Sequence, residues 1–429
     1  GWADAYVNAP PAIAANLRVP AKALIGPWEH RYAHIAKLNP ADFHGEVLRW
    51  FDKWLKGRDN GAEALPDYRT LMQEHFTPSM QNKPRRGRWV AEAAWPSPNV
   101  QERRLYLSPG GLSDQPASGS VTVQNPATLG QAAGYFCPGM RFDNELAGDQ
   151  AGDDTLSACF DSAPLAEPMQ LLGRPRLKVS FTVDRAVAQL VARLCDVSPD
   201  GVSQRISYRP LNLCCRTGFE TPAPLVPGEV YEAEIELNEC AHHLRAGHVL
   251  RLALSTSYWP VVWPAPQAAE VTLRLKDCAL LLPERKVTEE ISPQNPGAPR
   301  DYPTNDARQL RGSGLKSAPT TGVDGTLMLD TFDDYGLAED PASGLRVGSH
   351  VTMHYEIHPD DPASAVFASS WNFAFSRADG WQVSIDTENR MHCDQENFYL
   401  WRRVRAYEGP EQHEVAVRTW QEVIPRGLL

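Results

Sequence analysis

Hydrophobic and polar side chains alternate with a period of two along several short segments between residues 95 and 286. In RLKVSFTV, one face carries the four apolar side chains Leu177, Val179, Phe181 and Val183. The segments EVYEAEIEL and HVLRLALST repeat this alternation, with turn-forming residues between them. Because successive side chains of a strand point to opposite faces, the pattern predicts a β-sandwich or jelly roll over residues 95–286.

A second alternating region covers residues 321–429. Its segments VTMHYEIH, WNFAFS, NFYLWRRVRAY and VAVRTW are separated by Asp-Pro, Asp-Gly and Glu-Gly turns. This pattern predicts a second all-β domain with an antiparallel sheet. Residues 287–320 hold five prolines together with Asn, Gly, Ser and Thr, and they are predicted to form a linker.

Residues 1–94 show a different pattern. The apolar run AKALIG, residues 21–26, predicts a buried strand, and ADFHGEVLRWFDKWLKG predicts an amphipathic helix that ends at Gly57. A strand, a loop and a helix form one unit of a parallel sheet, but one strand cannot make a sheet. The region is therefore expected to be the C-terminal part of an α/β domain, with an exposed apolar patch that favours association. The tryptophans expected in that patch are Trp28, Trp50 and Trp54.

Charge and composition argue against several classes of partner. The 429 residues carry a formal net charge of −11, whereas binding to nucleic acid requires a basic face. No run approaches the roughly 18 apolar residues of a membrane span, and no signal peptide is recognised. The eight cysteines form no C-x-x-C pair, so free, mostly buried thiols in a reducing, cytoplasmic compartment are expected. We therefore expect no nucleic-acid partner and no membrane partner.

One pair of residues near the N-terminus matches part of a catalytic arrangement. Asp4 lies in GWADAY, and His30 follows the predicted strand in GPWEH. In an α/β hydrolase the triad runs Ser, Asp or Glu, then His, and the His lies on the loop after the last strand. The carboxylate accepts one imidazole N–H, which lets the other ring nitrogen take the serine proton. On this pattern alone, a surface Asp and a loop His are favoured over a catalytic pair.

Longer motifs carry more information than this pair. GWADAY, GPWEH and FDKWLKG resemble the block that closes the hydrolase domain of CocE/NonD serine hydrolases, the group of Xaa-Pro dipeptidyl-peptidases, cocaine esterase and α-amino-acid ester hydrolases. LYLSPGGL, FDSAPLAEPMQLLGRP, RLCDVSPDG and RAGHVLRLALSTSYWP are similar to the jelly-roll domain of these hydrolases. The resemblance covers about residues 1–285. It implies an α/β-hydrolase remnant at 1–94, a jelly roll at 95–286 and a C-terminal extension at 321–429 that only some members carry.

The resemblance also implies catalytic roles for Asp4 and His30, and it implies no cofactor and no metal. Asp4 takes the position of the family's catalytic Asp, and His30 that of its catalytic His. The nucleophile has no counterpart, because the family's Ser lies in a G-x-S-x-G elbow and that motif is absent from the sequence. The text RGSGLKS around Ser313 lies in the predicted linker with no strand before it, and it is rejected.

The implied function is that of the C-terminal portion of a serine hydrolase. The intact protein would cleave an ester or amide, an Xaa-Pro peptide or an α-amino-acid or aryl ester, through an acyl-enzyme. The nucleophilic Ser is expected on a segment before Gly1, and the chain by itself is expected to be inactive.

An alternative function stays open at this point. A jelly roll and a second β-domain without a nucleophile also fit a non-catalytic module that binds carbohydrate or protein. Residues 1–60 discriminate between the two, because a pure binding module has no use for GWADAY and GPWEH. A homo-oligomer is also left open.

His30 and His34 have the spacing of the histidines in a zinc-binding H-E-x-x-H helix. Glu29, however, precedes the first histidine instead of following it, and Pro27 opposes a helix at this point. A zinc site is therefore not predicted here.

Three further groups of polar residues are also interpreted as structural. His350, His354 and His358 share one face of a predicted strand and are expected to form a solvated face opposite an apolar one. The second group lacks another ligand pair at zinc spacing and comprises Cys240, His242, His243 and His248. The third is an acidic loop without the order of an EF-hand, formed by Asp143, Glu145, Asp149, Asp153 and Asp154.

Overall fold

A computed structural model describes residues 1–141, 144–287, 289–300 and 307–429. The chain is mostly β and divides into two compact units. Unit 1 comprises Gly1–Asn125, Gly130–Thr256 and Glu270–Asp301, and unit 2 comprises Pro126–Leu129, Ser257–Ala269 and Tyr302–Leu429. No helix among the described residues has both the length and the apolar character that a membrane span requires.

Unit 1 combines short helices with many strands. Its helices are α1 (Ala9–Asn16), α2 (Phe43–Lys56) and the single turn α3 (Ala151–Asp154). Its strands are β1 (Ala23–Ile25), β2 (Tyr68–Glu74), β3 (Gly87–Glu92), β4 (Val100–Ser108), β5 (Gly111–Ser113), β6 (Ser120–Val123), β7 (Ala158–Asp161), β8 (Met169–Gly173), β9 (Arg176–Val183), β10 (Gln189–Val197), β11 (Ser203–Asn212), β12 (Tyr231–Glu236), β13 (Cys240–Leu244), β14 (Val249–Ser255), β15 (Val271–Arg274) and β16 (Ala279–Arg285).

The strands of unit 1 form one mixed sheet and one antiparallel sheet. Among the described residues, the mixed sheet has twelve strands along the path β1-β2-β13-β8-β16-β9-β15-β6, with β3, β4, β5 and β12 paired at its sides. Within that part of the chain, the pairs of β2 with β1 and with β13 are parallel and the other pairs are antiparallel. The second sheet has the order β11-β10-β14-β7. Every residue of β10 is buried, so this strand lies in the core.

The alternation predicted for RLKVSFTV is confirmed in β9. The apolar residues at 177, 179, 181 and 183 are buried, and Lys178 on the other face is exposed. Ser180 is the exception, because it shares the polar face but is buried. Its backbone N–H donates to the sulfur of Cys278 at 3.5 Å.

The predicted helix at FHGEVLRWFDKWLK is confirmed as α2. The carboxylate of Asp42 accepts the backbone N–H of Gly45 at 2.9 Å and caps the first turn. Gly57, with φ at 66°, ends the helix in the left-handed conformation that glycine adopts without strain. No residue of α2 is buried, and Phe51 and Trp54 remain exposed.

The prediction that Trp28 is exposed with Trp50 and Trp54 is wrong. Trp28 is only 7% exposed. It packs with three small residues of the loop after β1, and its indole N–H donates to the backbone carbonyl of Asn39 at 2.9 Å. The loop after β1 folds back and buries Trp28. The pattern of hydrophobic residues did not predict this, because it does not show how a loop packs.

Unit 2 is built on one long-stranded antiparallel sheet, as predicted for residues 321–429. In the part of the chain that the structure describes, eight strands follow the order β17-β19-β20-β21-β22-β23-β24, with β18 also paired to β19. They are β17 (Arg308–Arg311), β18 (Gly314–Thr321), β19 (Leu327–Glu339), β20 (Arg346–His358), β21 (Asp361–Ser376), β22 (Gln382–Cys393), β23 (Asn397–Glu408) and β24 (His413–Pro425).

Strand β17 and all but the last residue of β18 lie within residues 287–320, for which the sequence predicts a linker. Both pair with β19, so this part of the segment belongs to the sheet. Residues 288 and 301–306 of the predicted linker lie outside the described residues.

Candidate functional site

The side chains of Asp4 and His30 lie against each other. Nδ1 of His30 is 3.1 Å from Oδ1 and 3.2 Å from Oδ2 of Asp4. The Asp4 side chain is 14% exposed and the His30 side chain is 42% exposed. Within the described residues, Nε2 of His30 has no hydrogen-bond partner. The pair therefore has one ring nitrogen on a carboxylate and the other open to a reactant, which is what a general base needs.

The backbone of the first residues is held along the end of β1. The N–H of Trp2 donates to the carbonyl of Gly26 at 2.9 Å, and that of Ala3 donates to the carbonyl of Trp28 at 3.2 Å. The Trp2 indole N–H donates to the carbonyl of Leu71 in β2 at 3.0 Å. Asp4 sits in the turn that follows. These bonds fix the carboxylate relative to the loop that carries His30.

The loop after β1 holds His30 in place through its buried neighbour. Glu29 is 1% exposed, and its carboxylate accepts the backbone N–H groups of Lys37 at 2.7 Å and Leu38 at 3.3 Å. The N–H of His30 donates to the carbonyl of Pro138 at 2.7 Å. The imidazole of His30 is thus exposed, while hydrogen bonds to Glu29 and Pro138 hold the backbone around it in place. Sequence reasoning gave Glu29 no positioning role, although a carboxylate next to the histidine was visible.

A second loop supports the first. The carboxylate of Glu145 accepts the backbone N–H groups of Gly139 at 2.6 Å and Arg141 at 3.0 Å, and burial raises the pKa of Glu145. Arg31 in turn donates through Nε to the carbonyl of Gly139 at 3.1 Å. Glu145 was assigned to an acidic solvated loop, but it is buried and organises the backbone beside His30. Asp143 of that predicted loop lies outside the described residues.

Cys137 lies close to the Asp4–His30 pair. Its sulfur, a carboxylate oxygen of Asp4 and a ring nitrogen of His30 lie within 4.8 Å of one another. Burial raises the pKa of the Cys137 thiol, and the negative charge of Asp4 raises it further. Both effects favour the neutral thiol, whereas a metal ligand or a nucleophile is the thiolate. The electrostatics of this group therefore disfavour both roles for Cys137.

A second cluster of titratable groups is buried in the core of unit 1 around Asp196. Its Oδ2 lies 2.7 Å from Nε2 of His242, and its Oδ1 lies 2.7 Å from Nδ1 of His248. Nδ1 of His75 is 3.5 Å from Oδ2. Two ligands of a tetrahedral zinc ion with bonds of about 2.0–2.1 Å are roughly 3.3 Å apart. The two shorter separations are hydrogen-bond distances, so the cluster is a hydrogen-bonded network.

Sequence reasoning missed Asp196. It grouped His242 and His248 with Cys240 and His243, and it treated the group as structural. A signal was available, because VARLCDV places one carboxylate in an otherwise largely apolar run that predicts a buried strand. A buried carboxylate requires hydrogen-bond donors, and histidines elsewhere in the chain were candidates.

The other histidines singled out in the sequence do not join either cluster. The His34 ring lies 4.1 Å from that of His44 and 5.7 Å from that of Phe43, both in α2. Nδ1 of His354 lies 2.8 Å from Asp330, and its Nε2 lies 3.1 Å from Glu356. The ring nitrogens of His354 thus face one carboxylate on β19 and one on β20.

A cavity of about 360 Å³ in unit 1 borders Asp4. Its lining includes Trp2, Tyr135, Tyr208 and Glu239, but not His30. The cavity therefore reaches the pair at Asp4.

Comparisons with known proteins place this geometry in context. Residues 60–296 match the family described as the X-Pro dipeptidyl-peptidase C-terminal non-catalytic domain. Asp4 and His30 lie before that match. The chain is 24% identical to a candidate serine esterase of Mycobacterium bovis, over 59% of this chain and 44% of the relative. It is 21% identical to the cocaine esterase of a Rhodococcus species, over 61% of this chain and 48% of the relative.

A solved structure shows the same fold over part of the chain. It is that of an aminopeptidase from a marine sediment archaeon (Thaumarchaeota archaeon), with a TM-score of 0.50 and 18% sequence identity. The similarity covers 62% of this chain and 50% of that one. The chain spans less than half the length of the two curated relatives.

Proposed function

The chain belongs to the X-Pro dipeptidyl-peptidase C-terminal domain family of the CocE/NonD hydrolases, and we propose that it is the C-terminal portion of a serine hydrolase. The observation that carries the proposal is the contact between Nδ1 of His30 and the carboxylate of Asp4, with Nε2 left open. In the intact protein these residues are two members of the triad. The nucleophilic Ser lies on a segment N-terminal to Gly1.

The proposed reaction is acyl transfer in two steps. Nε2 of His30 takes the serine proton as the serine oxygen attacks the ester or amide carbonyl, and His30 then protonates the departing alcohol or amine. Water then attacks the acyl-enzyme as it gives a proton to Nε2, and His30 returns that proton to the serine oxygen as the ester bond breaks and the acid is released. Asp4 keeps the other ring nitrogen protonated and stabilises the imidazolium that forms in each step.

The domain arrangement follows from the same proposal. We assign residues 1–94 to the end of an α/β-hydrolase domain and residues 95–286 to a jelly roll. The parallel pairing of β1 with β2 and the helix α2 support the first assignment. The antiparallel pairing of β4 with β16, and of the strands around β10, supports the second. Residues 321–429 are an extension to which we assign no chemistry.

The substrates proposed for the intact protein are Xaa-Pro peptides and α-amino-acid or aryl esters. The names of the family and of its relatives support an ester or a peptide substrate, and the narrower classes are those that the motif resemblance implies. We also assign the protein to the cytoplasm, because all eight cysteines, which lie within the described residues, are free thiols.

Two experiments test the proposal in sequence. The coding DNA upstream of Gly1 should contain an in-frame strand, a G-x-S-x-G elbow and a helix. A fluorophosphonate probe, which reacts with activated serines, should then label the intact protein at that Ser, and His30→Ala should reduce labelling by at least about 100-fold. The 429-residue chain alone should not be labelled and should not hydrolyse esters. A start codon at Gly1, or His30-dependent ester turnover by the chain alone, would overturn the proposal.

A non-catalytic binding module for carbohydrate or protein is the second candidate. It is favoured by the description of the family that matches residues 60–296, which is non-catalytic. Binding on a glycan array that is unchanged in His30→Ala, together with the absence of an upstream Ser, would select this candidate.

A further inference from the structure

The edge strand β24 of unit 2 is exposed along its whole length. Every residue from His413 to Pro425 is exposed, and several of them are large apolar side chains. These are Val415, Val417, Trp420, Val423 and Ile424. One edge of β24 pairs with β23, and no strand among the described residues pairs with the other. The strand thus offers a row of backbone donors and acceptors flanked by apolar side chains, which is a template for another strand.

The opposite edge of the same sheet is protected against such pairing. Strand β18 carries Pro319, which has no N–H to donate, and β17 spans only Arg308–Arg311. Strand β24, in contrast, has neither Gly nor Pro before Pro425, and it has no Lys. The β17–β18 edge is thus protected by a proline and a short strand, whereas β24 carries a bulge at Val415, near its start, and three charged side chains, Glu414, Arg418 and Glu422. From Ala416 to Ile424 its backbone pairs regularly with β23.

We propose that β24 pairs antiparallel with β24 of a second copy of this chain, across a two-fold axis at Trp420. A symmetric pairing of this kind places each residue opposite the one equally far on the other side of the axis. Arg418 then lies opposite Glu422 of the second copy, and the reverse pair repeats the contact. Val417 likewise lies opposite Val423. The two tryptophans meet at the centre, and the regular pairing extends from Ala416 to Ile424, because Val415 is the extra residue of a bulge.

Charge complementarity selects this register. An axis at Arg418 would place two arginines opposite each other and Glu414 opposite Glu422. An axis at Ala416 would pair Glu414 with Arg418, but it would leave the strand beyond Thr419 unpaired. The register at Trp420 combines opposite charges with the longer overlap.

The local contacts of the two charged residues are consistent with this register. The Arg418 side chain donates a hydrogen bond to the carbonyl of Val417 at 2.8 Å. Within the described residues, no carboxylate pairs with the Arg418 guanidinium. Oε2 of Glu422 accepts a hydrogen bond from Arg402 at 2.9 Å, and the carboxylate has a second oxygen for Arg418 of the other copy. The intermolecular pair thus adds a partner without breaking a bond within one chain.

Analytical ultracentrifugation of the purified chain tests the proposal. We expect a dimer. We expect Arg418→Glu to raise the dissociation constant of that dimer at least about tenfold, because the new carboxylate in each copy then lies opposite Glu422 of the other copy. Glu411→Arg reverses a charge in the turn before β24, outside the paired strand, and should leave the dissociation constant unchanged. Circular dichroism of each variant shows whether the sheet is retained. A chain that stays monomeric up to about 100 μM, or a dimer unaffected by Arg418→Glu, would overturn the proposal.

Cross-linking tests the register itself. Trp420→Cys should form a disulfide with its own copy under mild oxidation, because opposed residues of an antiparallel pair lie about 4.5–5.5 Å apart at Cα. Val415→Cys is the matched control, since its own copy lies at the far end of the overlap. A 420–420 disulfide identified by mass spectrometry supports the register. A Val415→Cys link, or no link at position 420 in a dimeric variant, would contradict it.

Discussion

Gly139 leaves open the space that the backbone of His30 occupies. A Cβ atom at Gly139 would lie 2.7 Å from the backbone nitrogen of His30, and the φ angle of Gly139 is 109°. Two effects therefore disfavour a side chain at position 139: the steric clash with His30 and the positive φ angle, which only glycine adopts without strain. The loop that carries Gly139 and the loop that carries His30 approach each other only because one of them has no side chain here.

Gly139→Ala should destabilise the chain by about 1–3 kcal/mol, the usual cost of a strained backbone position. In the intact protein it should also reduce activity, because the loop of His30 must shift. Urea unfolding measures the first effect. Gly152→Ala is the control, since nothing lies within 4 Å of a Cβ there and its backbone needs no positive φ. Equal stability of the Gly139 and Gly152 variants would contradict the prediction, because it would mean that the loop carrying His30 shifts without loss of stability.

Asp4→Asn should lower kcat of the intact protein on the order of 10²–10⁴-fold with little change in KM. An asparagine keeps the shape of the aspartate, but its amide cannot stabilise the imidazolium of His30 and can turn a donor toward Nδ1. Steady-state kinetics with an ester substrate measures the effect. Asp59→Asn, at an exposed position, should leave kcat unchanged. A fall limited to KM would place Asp4 in substrate binding instead of catalysis.

Asp196→Asn should destabilise unit 1 by about 2–4 kcal/mol at pH 7, because His242 and His248 each lose a buried carboxylate partner. Burial opposes ionisation of Asp196, but hydrogen bonds from His242 and His248, together with the nearby His75, outweigh it and hold its pKa well below the usual range. This contribution to stability is present above the ordinary Asp pKa near 3.8 and is lost as the pH falls toward the lower folded value.

The measurement is the free energy of unfolding of wild type and Asp196→Asn between pH 3 and 7. We expect the difference between them to shrink below about pH 4, where the unfolded carboxyl begins to bind a proton. Asp114→Asn, on the surface of unit 1, should show no such difference. A gap between wild type and Asp196→Asn that stays constant with pH would mean that the carboxylate charge does not contribute.

Local features of the fold could be predicted from the sequence, and long-range features could not. Asp42 caps the N-terminus of α2 and Gly57 ends the helix. Both residue types are helix-end signals that can be recognised in the sequence, because they flank an amphipathic segment. The parallel pairing of β2 with β13 joins segments far apart in the chain, and no local pattern specifies it. That pairing places His75 and His242 beside Asp196 of β10. Sequence reasoning singled out His242 and His248 but neither His75 nor Asp196, because no local pattern joins these segments.

The site near the N-terminus shows the same division. Motif resemblance identified Asp4 and His30, and the structure brings their side chains together. The loop at Gly139 that supports them lies more than a hundred residues away, and only the fold brings it to His30. The motifs that contain Asp4 and His30 are short and local, whereas the groups that hold these residues in place are assembled by tertiary contacts.

Glu239→Gln should stabilise the chain at pH 8 by up to about 3 kcal/mol and have little effect at pH 5. Burial raises the pKa of Glu239 to about 7, although the positive charge of Arg174 opposes the shift and the negative charge of Glu236 adds to it. Because the folded pKa exceeds the unfolded value of 4.5, the protonated carboxyl contributes stability that is present below pH 4.5 and is lost as the pH rises through about 7. A glutamine cannot ionise, so the variant does not lose stability as the pH rises.

Urea unfolding at pH 5 and pH 8 measures the effect, with Glu220→Gln, at an exposed position, as the control. The same stability difference at both pH values would show that Glu239 ionises freely in the folded chain.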